Sequence, residues 1–118
     1  PSEDEMNLLM KEFGDNPFIG YWHDFGHIQR KHNLLILNHE QFLRRMSSHL
    51  IGGHVNDVKW PARDHQVPLL GGVVPFERLL PFFPHGVPLV WELSSRVSSE
   101  DIRAARKLWM EKFPQTLA

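Results

Sequence analysis

A chain of 118 residues has room for one domain with a modest core. Its formal net charge of −1 supplies no field to gather nucleic acid or an anionic membrane, and the absence of cysteine excludes both a disulfide framework and a thiolate metal site. The composition, 42% hydrophobic and 23% charged, is that of a globular domain with no apolar run near the ~18 residues of a membrane span, and a reducing, cytoplasmic setting is the expectation.

The first element is a helix opened by a capping box, Ser2 with Glu5. Met6, Leu9, Met10 and Phe13 follow the i, i+3, i+4, i+7 spacing of its buried face, and Gly14 stops it. Pro17 precedes a continuous apolar run over 18–22, the pattern of a strand covered on both faces. A polar stretch follows, with Leu34 and Leu37 inside it. A second helix is expected over 39–48, burying Phe42, Leu43 and Met46. Leu50–Val55 reads as the next strand, followed by a long loop with Pro61, Pro68, Gly71 and Gly72. Pro75 suits the N1 position of a third helix with Phe76, Leu79, Leu80 and Phe83 on its face, and Pro81 limits its length. A third strand spans 87–93. Ser98 caps a last helix that buries Ile102, Ala105, Trp109 and Phe113.

The order is therefore α-β-α-β-α-β-α. Strands alternating with helices imply right-handed crossovers and a parallel sheet, whose ligand site lies at the carboxyl ends of the strands. A closed eightfold barrel needs about 200–250 residues, so residues 1–118 hold only part of one.

Each expected strand delivers a metal-competent side chain near its carboxyl end: Asp24, His54 and Glu92. The intervals of about 30 and about 38 residues each fit one strand–helix unit with its loop. Two carboxylates and one imidazole make a mixed oxygen and nitrogen set suited to Mn²⁺, Mg²⁺, Co²⁺ or Zn²⁺. Singly, each has a plainer reading: Asp24 as a helix cap, His54 as a core histidine. Glu92 lies between Trp91 and Leu93, where an unpaired buried carboxylate would be costly. Eight histidines are many for this length, and His32, His39, His49 and His85 are assigned to the surface.

These residues resemble a family. "WHDFGHI" looks like the Asp-x-x-His strand end of the xylose-isomerase-like TIM barrels, which include sugar-phosphate isomerases and epimerases and the zinc-dependent abasic-site endonucleases. "GGHVNDVK" resembles their His-x-x-Asp strand, "RDHQVPLLGGVVPFERLL" their loop and seventh helix, and "PLVWEL" their last strand with its metal-binding Glu. The resemblance implies the C-terminal part of a (β/α)8 barrel, from the fifth helix to the eighth, as a single partial domain. It implies that Asp24, His54 and Glu92 hold a divalent metal together with a Glu from a preceding strand that is not in this sequence. It makes Glu92 a catalytic base as well as a ligand. His27 becomes a catalytic and substrate-binding residue, and Asp64 with His65 a second metal pair, although in the endonucleases that pair is Asp-x-His and here the two are adjacent. His23 is given no role.

The function so implied is proton transfer through an enediolate in a sugar or sugar phosphate. Lys59 and Arg63 would meet a phosphate or hydroxyls, and Gly71-Gly72 could present backbone N–H groups to an anion. Solvated charges and a plain turn are the simpler readings of those four. The alternatives are an abasic-site endonuclease relative, against which the near-neutral charge argues, and a truncated, non-catalytic fragment. Three strands cannot close a barrel, so a homo-oligomer or a missing N-terminal half-barrel is expected.

Overall fold

The computed structural model describes residues 1–117. Its elements are α1 (Glu3–Phe13), β1 (Tyr21–Asp24), α2 (Phe25–Asn33), α3 (His39–Met46), β2 (Leu50–Val55), β3 (Asp57–Lys59), β4 (Arg63–Gln66), α4 (Phe76–Leu79), β5 (Leu89–Trp91) and α5 (Ser99–Lys112). Short 3₁₀ turns follow α3, α4 and α5. The expected parallel sheet is present: three strands in the order β1-β2-β5, every pairing parallel. The fold is mixed α/β.

Two elements depart from expectation. The polar stretch after β1 is a helix, α2, and the long loop after β2 contains the antiparallel hairpin β3–β4. The first strand also begins later than expected, at Tyr21, leaving Phe18 94% exposed. It is not covered on both faces: Tyr21 and His23 are buried, while Trp22 stays open to solvent.

Side-chain caps explain where the helices start. Ser2 and Glu5 close the capping box of α1, with bonds of 2.9 and 3.1 Å. Asn38 caps α3 through the N–H of Gln41, and Ser98 caps α5 through that of Asp101. Each oxygen satisfies an N–H with no partner inside the helix. Pro75 is the N-cap of α4 rather than its first residue. The face expected of α1 is only partly used. Met6 is buried, but Leu9 and Phe13 remain 43% and 48% exposed because α1 meets the body only along one edge.

The sheet divides the molecule. Register pairs Trp22 with Gly52 and Asp24 with His54, and His54 with Val90, so these residues share the front face. Tyr21, His23, Val55 and Trp91 point to the back, where they meet the helices. There Phe25 stacks on Phe83 and lies 5.2 Å from Phe76, which meets Trp109 edge to face. Ala105 and Trp109 supply the buried face of α5, with Phe113 buried at its C-cap, while Ile102, also expected there, is only half-buried. On the front face Trp22 lies across Gly52. A Cβ on Gly52 would stand 2.4 Å from the indole ring.

Candidate metal centre

The site is built on one rung of the sheet. Asp24 is the last residue of β1, His54 its register partner in β2, and Glu92 follows β5, its N–H bonded to Val55 O at 3.1 Å. His54 Nδ1 lies 3.8 Å from Asp24 Oδ2 and 3.4 Å from Glu92 Oε2. One donor atom from each of the three falls within 4.8 Å of the others. The donor set of two carboxylates and an imidazole fits a hard to borderline divalent cation. Trp22 packs edge to face against the His54 ring at 5.4 Å and restrains it.

Asp24 performs two tasks. Its Oδ1 accepts the N–H of His27 at 2.9 Å and so caps α2, while Oδ2 faces the site. The cap reading and the ligand reading are therefore compatible, because a carboxylate has two oxygens. Glu92 is held differently from expectation. Its side chain is 47% exposed, so the cost of a buried carboxylate gives no reason to expect a ligand there. Its place opposite His54 does.

His27 and His65 stand beside this group. His27, in the first turn of α2, is exposed, with Nδ1 3.4 Å from Asp24 Oδ2. His65 adopts a left-handed backbone (φ 51°) in β4 and brings Nε2 to 3.7 Å from Glu92 Oε2. The two imidazoles meet edge to face with centroids 5.1 Å apart. Asp64 turns towards His65 Nδ1 (3.2 Å) and Arg30 (2.7 Å). The hydrogen bond with His65, and then Arg30, hold its carboxyl below the usual carboxylate range. Lys59 and Arg63 are paired across the hairpin and exposed.

Gly72 has a structural task of its own: a Cβ there would fall 2.0 Å from the Asp57 carboxylate. That carboxylate is buried and accepts N–H groups of Val58 (2.8 Å), Val74 (3.0 Å) and Leu69 (3.4 Å). Burial pushes its pKa up, and the N–H bonds pull the other way. The loop after β4 thus wraps a buried carboxyl group.

Behind the site lies a polar chain that sequence reading missed. His39, assigned to the surface, is 2% exposed, and His23 is fully buried. Tyr21 Oη lies 2.9 Å from His23 Nδ1, His23 Nε2 2.9 Å from His39 Nε2, and His39 Nδ1 2.7 Å from Gln29 Oε1. Gln29 Nε2 donates to Asn33 at 2.9 Å. Since Gln29 Oε1 can only accept, His39 carries its proton on Nδ1, His23 on Nε2, and Tyr21 donates. Both imidazoles are neutral. Burial, and then the neighbouring His39, lower the pKa of His23, while burial and then His32 lower that of His39 to about 3. Among the described residues, no helix is long and apolar enough to cross a membrane.

Comparison with protein-family models and with curated proteins finds no match for this chain.

Proposed function

We propose that the chain is the C-terminal part of a xylose-isomerase-like barrel and acts in metal-dependent isomerisation or epimerisation of a sugar or sugar phosphate, by proton transfer through an enediolate. The observation that carries this reading is the convergence of Asp24, His54 and Glu92 at the carboxyl ends of three parallel strands. Mn²⁺, Mg²⁺, Co²⁺ or Zn²⁺ at these residues would polarise a substrate carbonyl and hold adjacent oxygens. Glu92, half-exposed and one of the three residues of the site, would take up the substrate proton. His27 stands at the mouth, where an imidazole can hydrogen-bond a substrate hydroxyl. Lys59 and Arg63, exposed at the hairpin tip, would be the groups to meet a phosphate. In such a barrel the front face would line the interior, with the substrate at the carboxyl ends of the strands, and the edge of β1 that is unpaired among the described residues is where a further strand, from the rest of a barrel or from a second copy, would pair.

A second reading is a zinc-dependent abasic-site endonuclease relative. It is favoured by His27 and His65, which place two further imidazoles beside the first group as a multinuclear cluster would require. The net charge of −1 disfavours it.

The test is metal content and turnover. Purified protein should carry or take up one divalent cation, and Asp24→Asn, His54→Ala and Glu92→Ala should each remove it. Asn keeps the α2 cap, so loss of metal in Asp24→Asn reports the ligand alone. Ketose–aldose interconversion assayed beside nicking of abasic DNA separates the two readings. Metal retained by all three variants would sink the site.

A further inference from the structure

Asn56 follows β2 directly and is completely buried against the back of the site. Its Nδ2 donates to Asp24 Oδ1 at 3.3 Å. Its Oδ1 is buried and, among the described residues, finds no hydrogen-bond partner. A native fold seldom leaves a side-chain oxygen in that state without a reason. The reason is next to it. An ideal Cβ on Gly26 would lie 1.8 Å from Asn56 Oδ1, so the amide fills the space that any other residue at position 26 would occupy. The glycine hydrogen on that side points at the oxygen, a weak contact that fixes which way the amide lies. With Oδ1 against Gly26, the NH₂ group must face Asp24.

Asp24 Oδ1 is thereby engaged twice, by the His27 N–H at 2.9 Å and by Asn56. Oδ2 receives neither bond and is the oxygen near His54 and His27. An aspartate here would set a second carboxylate against the first, and an alanine would leave Oδ1 held by the cap alone.

We propose that Asn56 is a positioning residue for Asp24: packed against Gly26, its amide ties down Oδ1 and so presents Oδ2 to the cation. This inference rests on the metal reading above and adds a residue to it. Asn56 and Gly26 touch no ligand themselves. They act through Asp24, as outer partners that orient metal-binding carboxylates commonly do.

The experiment is a Co²⁺ titration followed by visible absorption, on the wild type, Asn56→Ala and Gly26→Ala, with folding checked by circular dichroism. Both variants should bind Co²⁺ about 10- to 100-fold more weakly and with an altered spectrum. A merely structural asparagine would lower urea stability and leave the Co²⁺ affinity and spectrum of the folded protein unchanged, and that result overturns the proposal. Should both variants fail to fold, the side-chain amide resonances of Asn56 in the metal-free protein decide. They should move in Asp24→Asn and hold still in His54→Ala, and resonances that ignore Asp24→Asn overturn the contact. A wild-type protein that takes up no Co²⁺ overturns the metal reading instead, which the amide resonances do not depend on.

Discussion

His23 and His39 share a hydrogen bond of 2.9 Å inside the protein, and each can hold only one proton if the chain from Tyr21 to Asn33 is to survive. Their folded pKa values lie below the 6.5 of a free histidine, His39 at about 3. The unfolded chain therefore binds more protons than the folded one between pH 6.5 and about 3. Stability is fully present above pH 6.5 and is lost as pH falls through that window, by about 1.4 kcal/mol per pH unit for His39, with His23 acting in the same direction. Urea unfolding at a series of pH values should show this fall, and His39→Gln should reduce it. An unchanged slope in that variant would mean the ring is not buried neutral. At this scale the sequence was legible where chemistry and strand position coincide, as at Asp24, His54 and Glu92. It was silent on His39, because a histidine opening a polar helix carries no sign of the two partners, Gln29 and His23, that bury it. Asn56 was hidden for a similar reason: its signal is the missing Cβ of Gly26, thirty residues earlier.

Among the elements, those with an apolar period or a cap were readable: α1 from Ser2 and Glu5, α3 from Phe42, Leu43 and Met46, α5 from Ser98 and Trp109. Helix α2 was not, since its buried face includes Gln29 and its last turn is Arg30, Lys31 and His32. Its cap, Asp24, also ends a strand, so the two elements share a residue. The β3–β4 hairpin was missed because its two strands offer one apolar residue between them, Val58, and hence no alternation. The elements make testable claims. Ser98→Ala removes the α5 cap and should cost about 1 kcal/mol. Phe25→Ala empties the centre of the aromatic cluster and should cost about 3–5 kcal/mol. Gly52→Ala, on the front face, should cost about 1–3 kcal/mol by forcing Trp22 off the strand, with a shift in tryptophan fluorescence alongside the loss in urea stability. A fluorescence spectrum that does not change would show that Trp22 does not lie over Gly52.

For the whole molecule, the core lies on one face of the sheet, and the residues of the candidate metal centre lie at the strand ends beside the other. Trp22, 36% exposed, and Val90, 48% exposed, lie on that front face, and among the described residues β1 and β5 each pair on one side only. Exposed apolar surface beside free strand edges favours association. Light scattering at micromolar concentration should give a mass above the 13.8 kDa of one chain. Lys in place of Val90 should lower it, whereas a monomer at every concentration would show that the front face is stable in water as it stands. The rung that joins Asp24 to His54 also acts as a gauge. Neighbouring strands of any sheet stand about 4.8 Å apart, and the ion must fit between side chains rooted at that interval. Backbone geometry thus sets the coarse width of the jaws, and the short reach of Asp24 and the longer reach of Glu92 take up the remainder. Such a caliper would close on ions of several radii with little strain, so discrimination among Mn²⁺, Co²⁺ and Zn²⁺ would fall to donor chemistry rather than to size.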